Sequence, residues 1–108
     1  MKMLGQIEEL ILLAIEKLGE KAYGMAIREE IIKATGEKWL LGSIYSPLGR
    51  LHKQGYVRTI KGEPTPERGG RAKVYYEVTR AGTDALSKIQ KANAFLRPSA
   101  ARDLETQE

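Results

Sequence analysis

The sequence predicts a small, mainly helical α+β domain in which three helices precede a two-stranded β-hairpin and a fourth helix follows it. Apolar residues recur at intervals of three and four in four segments, as on the buried face of a helix. Two further segments in the middle of the chain are rich in β-branched and aromatic residues, as strands are. A chain of 108 residues is long enough for one domain with one modest core.

The first predicted helix, Leu4 to Leu18, is apolar on almost every side. Leu10 and Leu13 lie outside its main apolar stripe, so we expect the helix to be buried on two sides. In a chain this small, the second buried side suggests a partner subunit as much as the domain's own core. Gly19 is expected to end the helix. The main stripe holds Leu4, Ile7, Ile11, Ala14, Ile15 and Leu18.

Two more helices are predicted before the strands. The second runs from about Tyr23 to Thr35, with Gly36 at its expected end. The third has Ser43 as its N-cap and Gly55 as its terminator. Pro47 then falls at the edge of the first turn, where its missing N–H matters least. The buried stripe of the third helix holds Ile44, Leu48 and Leu51.

The hairpin and the last helix complete the order of elements. We predict strands at 56–62 and 72–79, joined by the Pro- and Gly-rich loop "EPTPERGGR". Thr79 caps the fourth helix and Pro98 ends it. The buried face of the second strand is expected to hold Val74, Tyr76 and Val78.

Enzymes, metalloproteins and membrane proteins are poor matches to this sequence. The chain has no cysteine, and its single histidine, His52, has no evident acid or nucleophile partner. No metal-ligand spacing or phosphate-binding glycine pattern is present, so we expect no cofactor, no metal and no enzymatic activity. The N-terminal apolar run is interrupted by Glu8 and Glu9 and is too short to span a bilayer, which predicts a cytoplasmic protein.

The charge distribution indicates an anionic partner. The formal net charge is +4, and residues 57–80 hold six basic and three acidic residues, so most of the excess lies in this short segment. Scattered surface lysines remain the alternative explanation. The basic residues of the predicted hairpin tip are Arg68, Arg71 and Lys73, and a solvated flexible loop is the alternative for that segment.

Three short helices followed by a hairpin with a basic tip form the pattern of a winged helix-turn-helix. In this arrangement the third helix enters the major groove of DNA, which is about 12 Å wide, and the hairpin reaches the adjacent backbone. Opposite the buried stripe, the third helix carries Ser46, Arg50 and Lys53, with Gly49 beside them. An exposed helical glycine costs roughly 1 kcal/mol, so this bare surface indicates close approach to DNA. A surface helix that tolerates small residues is the alternative.

The sequence resembles the PadR family of bacterial transcriptional regulators through four ordered motifs, "LGQIEELILLAI", "AYGMAIREEI", "LGSIYSPLGRLHKQGYV" and "GGRAKVYYEVTRAG". They cover roughly Leu4 to Leu86. The resemblance implies a homodimeric repressor that binds a near-palindromic operator in double-stranded DNA. It implies a DNA-reading helix with Ser43, Tyr45, Ser46 and Arg50, and a wing with Arg68, Arg71 and Lys73. Gly49 departs from the family, where a polar side chain is usual, so the bases read stay open.

We therefore predict a sequence-specific, ligand-responsive, homodimeric repressor. Residues 1–80 form the winged helix-turn-helix, 81–97 a C-terminal dimerisation helix and 98–108 a disordered tail. Two rivals are a winged helix used for protein–protein contact and a nucleic-acid binder without sequence preference. The expected interface residues, from the first and last helices, are Leu10, Leu13, Leu86, Ile89 and Phe95.

Two assignments stay open at this point. Leu86 and Ile89 could equally complete the core of one protomer. The lone tryptophan, Trp39, either packs against the core or forms a platform for a small-molecule effector, and family members sense small aromatic or cationic molecules.

Overall fold

The computed structural model describes residues 3–64 and 72–98 of the chain. These residues form four helices, a short 3₁₀ turn and a two-stranded antiparallel sheet, so the predicted mainly helical fold with a hairpin wing is confirmed. None of the described helices is both long and apolar enough to cross a membrane. The elements are α1 (Gln6–Leu18), the 3₁₀ turn (Gly19–Lys21), α2 (Gly24–Thr35), α3 (Leu41–Lys53), β1 (Val57–Pro64), β2 (Ala72–Val78) and α4 (Arg80–Leu96).

Helix α1 begins two residues later than predicted because Gly5 has an extended backbone and serves as its N-cap. The amide of Gly5 donates to the Glu8 carboxylate at 2.7 Å, and the amide of Glu9 donates to the Gly5 carbonyl at 3.0 Å. The helix ends at Gly19, whose φ of 59° favours glycine. Leu4 precedes the helix but is still buried in the core.

The start of α2 is tied to the second strand. Tyr23 is the extended N-cap of α2 and forms an isolated antiparallel bridge with Tyr75. The backbone of Tyr76 donates to the carbonyl of Ala22 at 2.7 Å. Gly36, in the left-handed conformation, ends the helix where the sequence predicted. One short segment therefore joins the helical layer to the wing.

The start of α3 differs from the prediction. The N-cap is Leu40, not Ser43, and the amide of Ser43 donates to the Leu40 carbonyl at 3.0 Å, which places Ser43 inside the first turn. Pro47 is therefore the seventh helical residue and is buried, rather than lying at the edge of the first turn. Its ring removes the bond to the Ser43 carbonyl, a loss that core packing must offset. Gly55, with a φ of 82°, lies just beyond the helix as expected.

One hydrophobic core lies among the helices and the base of the sheet. The predicted stripe of α3 is fully buried in it, which leaves the opposite face of α3 toward solvent. Each fully buried aliphatic side chain contributes about 1.5–3 kcal/mol relative to exposure. The largest fully buried side chains are Ile11, Leu12, Ile27, Ile31, Ile44, Leu48, Leu51 and Val57.

The wing is an antiparallel pair whose register runs from Val57 opposite Val78 to Lys61 opposite Val74, with an irregularity before Pro64. Val57 is buried at the base of the sheet. Val74 is exposed, so its predicted place on a buried face is wrong. The alternation of the strand continues beyond the core, and Val74 lines a small surface pocket instead of joining the buried cluster.

Helix α4 begins and ends as predicted. The Thr79 hydroxyl accepts from the amide of Gly82 at 3.1 Å and donates to the Gly55 carbonyl at 2.6 Å, so this cap also holds the end of α3. Arg97, before Pro98, is extended and closes the helix.

Two helical glycines should respond oppositely to alanine. A Cβ at Gly82 would overlap the Tyr56 carbonyl oxygen, whereas a Cβ at Gly49 would meet no atom within 4 Å. We expect Gly82→Ala to lower the free energy of unfolding by about 2 kcal/mol, and Gly49→Ala to raise it by up to about 1 kcal/mol. Urea unfolding followed by circular dichroism measures both. A Gly82→Ala protein as stable as the wild type would contradict the close approach.

Candidate nucleic-acid interface

The outward face of α3 is a narrow strip with little side chain on it. Gly42, Ser46, Gly49 and Lys53 succeed one another at intervals of four, three and four, which places them along one line of the helix, and all four are exposed. A Cβ at either glycine would meet no atom within 4 Å. The backbone of α3 can therefore come close to a surface laid against it, with a hydroxyl and an ammonium group beside it.

Tyr45 forms the flank of this strip on the wing side. A Cβ at Gly24, the first residue of α2, would overlap the Tyr45 hydroxyl, so this pair of helices crosses closely only because residue 24 has no side chain. Tyr45 is nevertheless 41% exposed. Its hydroxyl lies beside the first turn of α2, where Tyr23 supplies no side-chain cap to the free amides. Such amides favour an anion.

Lys73, in the outer part of β2, lies next to this group. Its ammonium nitrogen is 4.2 Å from the centre of the Tyr23 ring, a cation–π contact worth about 0.5–1 kcal/mol at an exposed site. The ring of Tyr75 meets that of Tyr23 edge to face at 5.9 Å between centroids. The small pocket of about 210 Å³ at this point is lined by Tyr23, Gly24, Met25, Tyr45, Lys73, Val74 and Tyr76.

Tyr76 lies deeper in the same group. Burial, and to a smaller extent the neighbouring Tyr45, raises the pKa of its hydroxyl above the usual value. A tyrosine with the usual pKa is already protonated near neutral pH, so this shift does not change the charge of the surface there. Tyr76 lines the pocket as a neutral hydroxyl group.

Arg50 lies on the other flank of the strip, toward α1. Its Nε is 3.7 Å from the Glu8 carboxylate, and its Nη1 donates to the Ser46 hydroxyl at 3.3 Å. Glu8 is only 8% exposed, and its other carboxylate oxygen accepts from Gly5. Arg50 is the one cation within 4 Å of Glu8 among the residues described. Arg50 is exposed, as the helical wheel predicted, and its guanidinium extends from the flank of the strip toward Glu8 of α1.

Glu8 is the residue of this surface that sequence reasoning missed. In the sequence Glu8 interrupts the apolar N-terminal run, and no role on the DNA surface was predicted for it. The signal for its role is its position three residues after Gly5, the spacing of a helix N-terminal capping box. That signal accounts for the bond to the Gly5 amide but not for the ion pair to Arg50, which requires the packing of α1 on α3.

The remaining predicted DNA-binding residues fall into two groups. Ser43 is exposed in the first turn of α3 and Lys53 in its last turn, at opposite ends of the strip. Arg68 and Arg71 lie outside the described residues. Within 3–64 and 72–98, no group of three acidic or histidine side chains converges to hold a metal ion.

The residues predicted for a subunit interface differ in how deeply one protomer buries them. Leu86 is 3% exposed within one protomer and Ile89 packs against the same core, which favours the alternative that both complete the domain's own core. Leu10 and Leu13 are half-buried at the edge of the core. Phe95 is 80% exposed near the end of α4. Its neighbour Leu96, which the prediction omitted, is as bare.

Trp39 is held by packing and hydrogen bonds. It is half-buried against the core, its indole N–H donates to the Thr35 hydroxyl at 2.9 Å, and its carbonyl accepts from Arg28 at 2.6 Å. These contacts favour the packing alternative over the effector platform. Arg28 thereby fastens the segment before α3 to α2.

Comparisons with known proteins point to one family. A family model described as "Transcriptional regulator PadR-like family" matches residues 11–88, in agreement with the motifs. A comparison with curated proteins finds no match. Among solved structures, the chain is similar to a PadR family transcription regulator from Clostridium difficile, with 27% identity and a TM-score of 0.67 over 85% of this chain and 91% of that one.

Two further structures agree. A PadR-like transcription factor from Bacteroides fragilis has 25% identity and a TM-score of 0.70 over 85% of this chain and 84% of that one. A PadR family transcriptional regulator from Eggerthella lenta has 25% identity and a TM-score of 0.65 over 90% of this chain and 82% of that one. The similarity thus extends over most of every chain compared.

The Glu8–Arg50 pair can be measured by a double-mutant cycle. Arg50→Ala leaves a buried carboxylate without its cation, so we expect a coupling energy with Glu8→Gln of about 0.5–1 kcal/mol, modest because Arg50 is half exposed. Urea unfolding of the four proteins gives this value. Lys53→Ala, which removes an exposed cation from the same helix, is the control and should show no coupling. Zero coupling for Arg50 would contradict the ion pair.

Proposed function

Because the chain belongs to the PadR-like family of transcriptional regulators, we propose that it is a homodimeric repressor that binds a near-palindromic operator in double-stranded DNA in the cytoplasm. Members of this family are transcriptional regulators rather than enzymes, which agrees with the absence of catalytic motifs from the sequence. The observation that carries the proposal is the bare outward strip of α3, flanked by basic and hydroxyl-bearing side chains.

In the proposed complex, α3 lies in the major groove with its outward strip toward the base edges. Gly42 and Gly49 permit close approach, and Ser46 and Lys53 supply donors at that short distance. Arg50 reaches the groove from the α1 side, where its Nη2 group has no partner among the described residues. Ser43 lies at the N-terminal end of the helix, where recognition helices contact bases.

The proposed wing contacts hold the protein in register on the duplex. Lys73 and the Tyr45 hydroxyl lie together beside the first turn of α2, a combination suited to one backbone phosphate. Arg68 and Arg71 are proposed to extend these contacts along the backbone. Phosphate contacts position the protein without reading sequence, so specificity is assigned to α3.

The proposed dimer uses α1 and α4. The outer end of α4 exposes Phe95 and Leu96, and a groove of about 450 Å³ lies between α4 and the Leu10 and Leu13 face of α1. Two exposed large apolar side chains in succession call for a covering surface. A second copy of the chain supplies such a surface by symmetry. The two α3 helices of this dimer are then related by a two-fold axis, which is why the operator is expected to be an inverted repeat.

Selection from a random double-stranded DNA library at about 150 mM salt tests the function. We expect an inverted repeat, and an operator affinity that falls with log salt at a slope of about −5 to −7, as for six to eight phosphate contacts. Lys73→Gln removes one contact from each protomer of the proposed dimer, so it should reduce that slope by about 2 for every sequence. Lys33→Gln is the control, because Lys33 pairs with Glu30 and lies at the other end of α2. A folded dimer that enriches no sequence would favour the protein-contact rival.

The dimer proposal has its own test. The pair of changes Phe95→Glu and Leu96→Glu should give a monomer in sedimentation velocity and weaken operator binding at least tenfold, because charge on this surface prevents its burial. Val74→Glu places a charge on an exposed apolar residue of the wing and should leave the protein dimeric. A Phe95/Leu96 variant that sediments as the wild type would exclude this interface.

A further inference from the structure

Glu8 is a buried carboxylate at the edge of the proposed DNA surface. Among the charged side chains that the structure describes, it is the only one that is buried, with 8% of its surface exposed. Its Oε1 accepts from the Gly5 amide at 2.7 Å, and its Oε2 lies 3.7 Å from Nε of Arg50. The first contact caps α1. The second contributes nothing to the cap, and it places a carboxylate against a side chain at the flank of the outward strip of α3.

Arg50 is held at two of its three guanidinium nitrogens. Besides the approach of Nε to Glu8, Nη1 donates to the Ser46 hydroxyl at 3.3 Å. Nη2 forms no hydrogen bond or ion pair with the part of the chain that the structure describes, and 53% of the side chain is exposed. Because a guanidinium is planar and rigid, two held nitrogens also fix the direction of the third. The terminal N–H groups of Arg50 are therefore presented to solvent in one preferred orientation.

We propose that Glu8 is a positioning residue that orients Arg50 to read one guanine in each half of the operator. In the major groove, guanine presents two acceptors, N7 and O6, which match two donors on the terminal edge of an arginine. With Nε turned toward Glu8, that terminal edge is the part of Arg50 left for a base, and Nη1 retains its second N–H for this contact. Glu8 acts only through Arg50. This inference rests on the proposed function, because it requires α3 to lie in the major groove.

The ion pair also favours a base contact over a phosphate contact. An unconstrained arginine reaches base edges and phosphates alike, and it loses side-chain entropy when it binds either. Withdrawal of Arg50 to the DNA backbone would leave the Glu8 carboxylate buried without the one cation that the described residues place within 4 Å of it. A guanine contact through the terminal N–H groups leaves that pair intact. Glu8 thus lowers the cost of the base contact and raises that of its competitor.

The test uses the operator obtained by selection, with 7-deazaguanine in place of one guanine at a time in one half-site. This analogue lacks N7, so it removes one acceptor and keeps the base pair. At one guanine, the wild type should lose about tenfold in affinity. Arg50→Ala should show no loss at that position, and Glu8→Gln should lose only about threefold, because Arg50 is no longer held in orientation. Fluorescence anisotropy of labelled duplexes measures each affinity.

Two further measurements separate positioning from a general loss of structure. Glu8→Gln keeps an oxygen for the Gly5 amide and removes only the charge, so its affinity for a duplex without the operator should rise about twofold. A loosened fold would lower that affinity instead. Glu8→Asp keeps the charge but withdraws it by one methylene group, so it should also reduce the effect of 7-deazaguanine to about threefold. Circular dichroism shows whether each variant is folded, and either folded variant is sufficient for the test.

The matched control is Glu30→Gln, which removes a carboxylate of α2 that is 14% exposed and pairs with Lys17. It should keep the full effect of about tenfold. If Arg50→Ala keeps every guanine effect, if the Glu8 variants lose as much as the wild type, or if the control loses the effect as well, the inference is overturned and the proposed function stands. Selection that enriches no sequence would contradict the proposed function, and the inference with it.

Discussion

The close crossing of α2 and α3, where Tyr45 lies over Gly24, determines where the outward strip of α3 points. The residues just before this crossing also position the wing, because the Ala22 carbonyl accepts from β2 and Tyr23 forms a bridge with it. Helix and wing are thus positioned from one place rather than through separate loops. A side chain at position 24 would have to displace the tyrosine or separate the helices, and either change would alter the relation between the two proposed DNA-contacting elements.

The ion pair between Glu8 and Arg50 gives α1 a second role. α1 carries the apolar residues proposed for the subunit interface, and through Glu8 it also touches a side chain at the edge of the α3 strip. Since the pair contributes on the order of 1 kcal/mol or less, a phosphate or a base edge can compete for the arginine. A movement of α1 at the proposed interface would therefore change the position of Arg50 through its ion pair with Glu8, without a rearrangement of the core.

The sequence predicted the order and kind of every major element, because apolar periodicity, the cap Thr79 and the glycines after three helices are local signals. The start of α3 was misplaced because serine is a common N-cap, whereas here the extended Leu40 takes that position. Local signals also give no information on what packs beside a residue. The ion pair of Arg50 with Glu8 was therefore not predicted, and Val74 was expected to be buried although it is exposed.

The exposed end of α4 has a consequence for how the regulator responds to its own abundance. If Phe95 and Leu96 are covered only in a dimer, each protomer alone must keep two large apolar side chains in water. At concentrations below the dissociation constant of the dimer, the population able to fill an operator then rises as the square of the protomer concentration. Modest changes in synthesis would then produce larger changes in occupancy. The concentration at which this happens depends on apolar contacts at the end of α4, outside the proposed DNA surface.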